Sequence, residues 1–159
     1  MNHLNRLATD VGKLAKQRGY KIATVESCTG GWLGKALTEI VGSSEWYEGG
    51  FITYSNASKM QLVQVDEAVI QESGAVSESA AIAMANGALK NTQADVAVAI
   101  TGIAGPGGGT IEKPVGTVWF AWVIRDKSSK TDHHVFGGNR VVVREQSVAR
   151  ALSGLISLF

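Results

Sequence analysis

Lys21-Ile22-Ala23-Thr24-Val25-Glu26-Ser27-Cys28-Thr29-Gly30-Gly31-Trp32 is the stretch that decides the fold. Lys21 to Glu26 is a short β-prone run, and the pair Gly30-Gly31 breaks it. From Trp32 to Val41 the apolar residues Leu33, Ala36, Leu37 and Ile40 recur at helical spacing. A strand that turns through glycines into a helix is the opening of an α/β unit.

Reading outward, Leu4, Leu7, Val11 and Leu14 predict a first helix that stops at Gly19. Phe51 to Tyr54 reads as a second short strand. Two short helices follow, over Ser58 to Val63 and Glu67 to Glu72. Ser77 can cap a helix running to Lys90, and Glu78 in its first turn suits the macrodipole. Asp95 to Ile100 is a nearly continuous apolar strand, the signature of burial on both faces. Val115 to Ile124 and Asp132 to Phe136 read as two more strands. Asn139 can cap a last helix with Val141, Val148, Leu152, Leu155 and Phe159 on one stripe. The expectation is a single α/β domain over residues 1–159, with a mixed β-sheet flanked by helices.

Composition narrows the function. Of 159 residues, 45% are hydrophobic and 18% charged, enough for a packed core. The formal charge is only +1, which removes support for a nucleic-acid coat or a membrane-surface role. The single cysteine excludes an internal disulfide framework. The N-terminal segment carries charges throughout and lacks a signal-peptide core, and no apolar run approaches the ~20 residues of a membrane span. A cytoplasmic location is expected. Nineteen glycines against two prolines is unusual, and the glycines cluster.

Four segments can carry chemistry. In Glu26–Gly31 the backbone N–H groups of Thr29, Gly30 and Gly31 lie at a helix mouth, suited to an anion or oxyanion. Ser27 and Cys28 are both candidate nucleophiles there; alternatively Ser27 or Thr29 caps the helix and Cys28 is a small core residue. In Tyr54-Ser55-Asn56-Ala57-Ser58-Lys59, the lysine can serve a serine as proton acceptor in place of histidine. A free lysine has a pKa of about 10.4, so a neutral amine at pH 7 costs roughly 4.6 kcal/mol, and burial or a nearby cation must supply part of the shift. The third segment runs from Thr101 to Pro114 and includes Gly102, Gly105, Gly107 and Gly108. It lacks the lysine of a P-loop and opens no helix, yet it can form a backbone nest for phosphate. The fourth is Gly138-Asn139-Arg140 with Arg144 one turn on. Two guanidiniums at a helix N-terminus oppose the dipole, which points to an anionic ligand, a buried carboxylate or surface pairing with Glu145. The adjacent His133 and His134 point to opposite faces of a strand. No metal-binding spacing and no GxSxG elbow is present. The tryptophans, apart from Trp46, sit in apolar segments and are expected to pack.

ESCTGG at 26–31, YSNASK at 54–59, AVSE at 75–78, TGIAGPGGGT at 101–110, EKPVGTVW at 112–119 and the GNR…R segment at 138–144 occur in one order, and the chain resembles the CinA C-terminal domain family over nearly its whole length. It is similar to that family's stand-alone form, because it starts directly with the first helix and no N-terminal domain is expected. The resemblance implies hydrolysis of the carboxamide of nicotinamide mononucleotide to nicotinate mononucleotide and ammonia, in pyridine nucleotide salvage, without cofactor or metal. It places the nucleophile on Ser27, its lysine partner on Lys59 and an associated tyrosine on Tyr54. It implicates Arg140 or Arg144, leaving the two unresolved. Asn139 stands where the family usually has Asp.

The implied mechanism has the Thr101–Thr110 loop, with an arginine, holding the phosphate. Neutral Lys59 takes the Ser27 proton, and amides near Thr29–Gly31, with Tyr54, hold the oxyanion. An arginine near Lys59 would help keep it neutral. The resemblance also favours a homodimer, for which the apolar Val115–Ile124 strand and the tryptophans offer a surface. Two other functions fit the same loop and arginines: a nucleotide-binding module without turnover, and an amidohydrolase of another nucleotide amide. Binding alone does not require the Ser27/Lys59 pair.

Overall fold

The computed structural model describes residues 1–159. Helix α1 (His3–Arg18) starts where the Asn2 side chain accepts from the Asn5 N–H and ends at Gly19, whose φ of 68° is the left-handed conformation of a helix stop. Strand β1 (Ile22–Glu26) follows, then α2 (Trp32–Thr38), a 3-10 turn (Ser43–Glu45) and β2 (Tyr47–Ile52). Helices α3 (Asn56–Val63), α4 (Glu67–Ser73) and α5 (Glu78–Lys90) lead to β3 (Val96–Gly102). Strands β4 (Thr117–Ile124) and β5 (Ser129–Val135) precede α6 (Arg140–Leu158). Asn139 and Ser77 cap α6 and α5 as their positions predict.

The five strands form one mixed sheet in the order β2-β1-β3-β4-β5. β2, β1 and β3 are parallel; β4 and β5 are antiparallel to their neighbours. Side-chain alternation divides the core into two layers. Ile22, Val96, Val98, Ile100, Phe120 and Trp122 face α1, α2 and α6. Ala23, Val25, Ala97, Ala99, Ala121 and Val123 face the side where Ala81, Met84, Ala85 and Ala88 of α5 pack. Alanines on both the sheet and α5 let that helix approach closely, and large side chains fill the opposite layer.

Several sequence boundaries move. The second strand is Tyr47–Ile52, not Phe51–Tyr54. Its Gly49 and Gly50 hide the β pattern, but a Cβ on Gly50 would lie 2.2 Å from Thr24 Oγ1, so β1 demands glycine there. Helix α2 ends at Thr38, which leaves Ile40 and Val41 outside it. Thr101 and Gly102 belong to β3, so the irregular stretch begins at Ile103. Val141 is 56% exposed and Val143 takes its place in the α6 stripe. Trp46, the exception among the tryptophans, is buried against Gly12.

The apolar β4 also needs a different account. It lies inside the sheet between β3 and β5 and packs against α5 and α6, so its hydrophobicity is spent within the chain. No helix is long and apolar enough to cross a membrane.

Candidate active site

The site forms at the carboxyl ends of the parallel strands, where open α/β sheets leave a crevice. The Ser27 N–H donates to Ile100 O at 2.9 Å, and the Thr53 N–H to Glu26 O at 2.8 Å. These bonds splice the ends of β1, β2 and β3 together. The chain then turns at Ser27–Gly31, with Gly30 at φ 59° and Gly31 at φ 101°. A side chain at either glycine would be strained in that region.

Ser55 caps α3 by accepting from the Ser58 N–H, which sets Lys59 on the first full turn. Lys59 points inward and is 1% exposed. Its Nζ lies 3.0 Å from Ser27 Oγ, 2.7 Å from Thr53 O and 3.4 Å from Tyr54 O. No carboxylate pairs with it. Burial, uncompensated by a counter-charge, lowers its pKa from 10.5 to about 8. A neutral amine has two N–H donors and one lone pair. The two carbonyls can take the donors, which turns the lone pair toward the Ser27 hydroxyl. The expected help from an arginine is not what lowers this pKa; desolvation does.

Cys28, next to Ser27, is buried, and burial pushes its thiol up to about 12. It joins the core layer under α1, α2 and α6 as a small apolar residue.

The helix mouth is occupied by the protein's own anion. The Glu26 carboxylate accepts from Thr29 Oγ1 at 2.6 Å, Gly31 N at 3.2 Å, Leu33 N at 2.9 Å and Gly34 N at 3.0 Å. The Gly30 N–H donates to Ser27 O. The Gly30 and Gly31 amides, expected to hold an oxyanion, are therefore already committed. The Cys28 and Thr29 N–H groups are the ones at this turn with no acceptor in the protein. Sequence reasoning gave Glu26 no role. The available signal was a carboxylate placed where the first amides of a helix need an acceptor.

A cavity of about 270 Å³ brings together Ser27, Cys28, Tyr54, Arg140 and the loop residues Gly102, Gly105, Gly107 and Gly108. Arg140 donates to Gly105 O at 2.8 Å and to the Tyr54 hydroxyl at 2.9 Å, tying the glycine loop to the end of the second strand segment. The N–H groups of Gly105, Gly107 and Gly108 make no hydrogen bond within the chain.

Two groups of predicted residues lie elsewhere. The Thr101 hydroxyl is buried and donates to Ala75 O at 2.8 Å. Thr29, Gly30, Gly31 and Arg144 line a separate cavity of about 420 Å³ with Trp32 and Lys35. Neither arginine forms the ion pair with Glu145 that surface placement would give. Although Arg140 and Arg144 are one helical turn apart, they line different cavities.

Fold and site together define an α/β protein with a buried serine–lysine pair at the carboxyl edge of its parallel strands. The CinA C-terminal domain family matches residues 4–159, and the chain belongs to that family. It is 49% identical over 158 residues to the nicotinamide-nucleotide amidohydrolase PncC of Escherichia coli (strain K12), an alignment covering 99% of this chain and 96% of the relative. It is 42% identical over 158 residues to the protein of the same name from Pseudomonas putida, covering 99% and 98% of the two chains. Among solved structures, the competence/damage inducible protein CihA from Agrobacterium tumefaciens superposes with a TM-score of 0.96 at 41% identity, covering 99% of this chain and 96% of that one.

Proposed function

We propose that this chain is a nicotinamide-nucleotide amidohydrolase: it converts nicotinamide mononucleotide and water to nicotinate mononucleotide and ammonia, a step of pyridine nucleotide salvage. The observation that carries the reading is the 3.0 Å approach of Lys59 Nζ to Ser27 Oγ in a buried setting without a carboxylate. A binding module has no use for that pair. The relatives named amidohydrolases, similar over nearly their whole length, supply the substrate.

Ser27 is the nucleophile and Lys59 its base. The amine accepts the hydroxyl proton as Oγ attacks the carboxamide carbon, and later gives it to the departing ammonia. Water then hydrolyses the ester on Ser27. The Cys28 and Thr29 N–H groups hold the oxyanion, with the Tyr54 hydroxyl beside them. The phosphate sits against the free amides of Gly105, Gly107 and Gly108 with Arg140, and anchoring there brings the carboxamide to Ser27. The same reading takes the chain as one cytoplasmic domain that works as a homodimer; light scattering would then give twice the chain mass.

The experiment is ammonia release from nicotinamide mononucleotide by the purified protein. Release by the wild type and its loss in Ser27→Ala support the reading. A wild type that binds the nucleotide but leaves its mass unchanged overturns it.

A further inference from the structure

We infer that Arg144 is a positioning residue for the hydrolysis proposed above: it aims the Thr29 N–H at the Ser27 cavity by holding the carbonyls of the nucleophile turn, without touching substrate. The inference rests on that reading of the site.

Arg144 Nε donates to Cys28 O at 3.0 Å and Nη2 to Thr29 O at 3.1 Å. One planar fork thus grips two successive peptides, a task suited to guanidinium and not to a point ammonium. The fork is itself held, with Cζ lying 5.6 Å from the centre of the Trp32 ring. A trans peptide sets its C=O and N–H in opposite directions. With the Cys28 carbonyl drawn toward Arg144, the N–H of Thr29 must point to the other side of the turn.

What lies on the two sides gives this its meaning. Arg144 lines the cavity shared with Thr29, Trp32 and Lys35, whereas Ser27 and Cys28 line the other cavity, with Arg140 and the glycine loop, so the Cys28–Thr29 peptide stands between the two. The Thr29 N–H has no acceptor in the protein, while its neighbours on Gly30, Gly31, Leu33 and Gly34 are all engaged. It is a donor kept free and held by a fixed cation behind its peptide. The charged hydrogen bond to that carbonyl also polarises the peptide and strengthens its N–H as a donor.

The two other roles open to Arg144 fail on position. A phosphate contact needs a place in the Ser27 cavity, which Arg140 occupies and Arg144 does not. Control of Lys59 is absent, because burial, not an arginine, lowers that amine.

The test is steady-state ammonia release by Arg144→Met and Arg144→Lys beside wild type. A displaced oxyanion donor lowers kcat by about 10- to 100-fold. KM stays within about twofold of wild type, because no substrate contact is lost. The pH midpoint of kcat/KM stays where wild type has it. Arg144→Lys keeps charge and a packing stem but not the fork, so it shows the same kcat-selective loss and serves if Arg144→Met does not fold. A rise in KM with unchanged kcat makes Arg144 a substrate contact and overturns the inference. Unchanged kcat in both variants also overturns it. A wild type that releases no ammonia sinks the underlying reading instead, so the two failures are distinguishable.

Discussion

Lys59 Nζ stands 3.0 Å from Ser27 Oγ, and the rest of the amine's polar surroundings consists of the Thr53 and Tyr54 carbonyls. That relationship fixes how the reaction should depend on pH. Lys59 can accept a proton only when neutral, and burial sets its pKa at about 8. At pH 7 about a tenth of the molecules carry the neutral amine. We therefore expect kcat/KM to rise close to tenfold per pH unit below pH 7 and to level off above about pH 9. Lys59→Arg, which stays charged throughout, should lose about 10²- to 10⁴-fold. A flat wild-type profile from pH 6 to 9 would remove Lys59 as the base.

The same lysine should cost stability, and the sign changes with pH. Keeping it charged at pH 7, where burial has lowered its pKa from 10.5 to about 8, costs about 3 kcal/mol relative to the unfolded chain. Lys59→Met removes that cost but leaves the buried Thr53 carbonyl and the part-buried Tyr54 carbonyl without their donor, at about 1 kcal/mol each. The variant should be more stable than wild type at pH 7 by about 1 kcal/mol. Between pH 8 and 10.5 the unfolded chain binds more protons at this position, so wild type gains stability as pH rises. Above pH 10.5 wild type should be the more stable by about 2 kcal/mol. Urea midpoints of the two proteins at pH 7 and pH 10.5 check this, and a pH-independent difference would contradict it.

The parts of this molecule legible in the sequence are those set by neighbours in the chain. Ser77 and Asn139 cap the helices they precede, because a cap needs only the next turn. The four segments of the cavity were also visible as glycine-rich, hydroxyl-rich or cationic stretches. What was hidden depends on packing between distant elements. Gly49 and Gly50 read as a break, but β2 needs Gly50 because Thr24 of β1 stands against it. Val141 and Val143 are equally apolar, and only the docking of α6 decides that Val143 goes in. Helical spacing puts Arg140 and Arg144 on one face, but it cannot show that Arg140 reaches Gly105 O and the Tyr54 hydroxyl while Arg144 reaches the Cys28 and Thr29 carbonyls.

Ser27 and Cys28 should separate cleanly on substitution. With its pKa pushed up to about 12, the Cys28 thiol is ionised in about one molecule in 10⁴ at pH 8. Ser27→Ala should lose ammonia release by at least about 10³-fold, because the base then has no partner. Cys28→Ala should keep activity within about threefold and lose only the modest packing of a small core group. Iodoacetamide should leave the native wild type active. An active Ser27→Ala together with a dead Cys28→Ala would move the nucleophile to the thiol.

Glu26 should prove to be the structural anion of the nucleophile turn. It is buried, and both carboxylate oxygens accept: one from Thr29 Oγ1 and the Gly31 and Leu33 amides, the other from Gly34. Glu26→Gln keeps the shape but places an NH2 group against amide donors, so at least one buried N–H loses its acceptor. The expected loss is about 2–4 kcal/mol, read as a lower urea midpoint at unchanged slope. Thr29→Val deletes a single charge-assisted bond and should cost less, about 1.5–3 kcal/mol. Both changes loosen the segment that carries Ser27 and the Thr29 N–H, so kcat should fall in the same order as stability, Glu26→Gln below Thr29→Val. Equal urea midpoints for Glu26→Gln and wild type would show that the α2 amides do not depend on this carboxylate, and the helix mouth would again be open to an anion from outside.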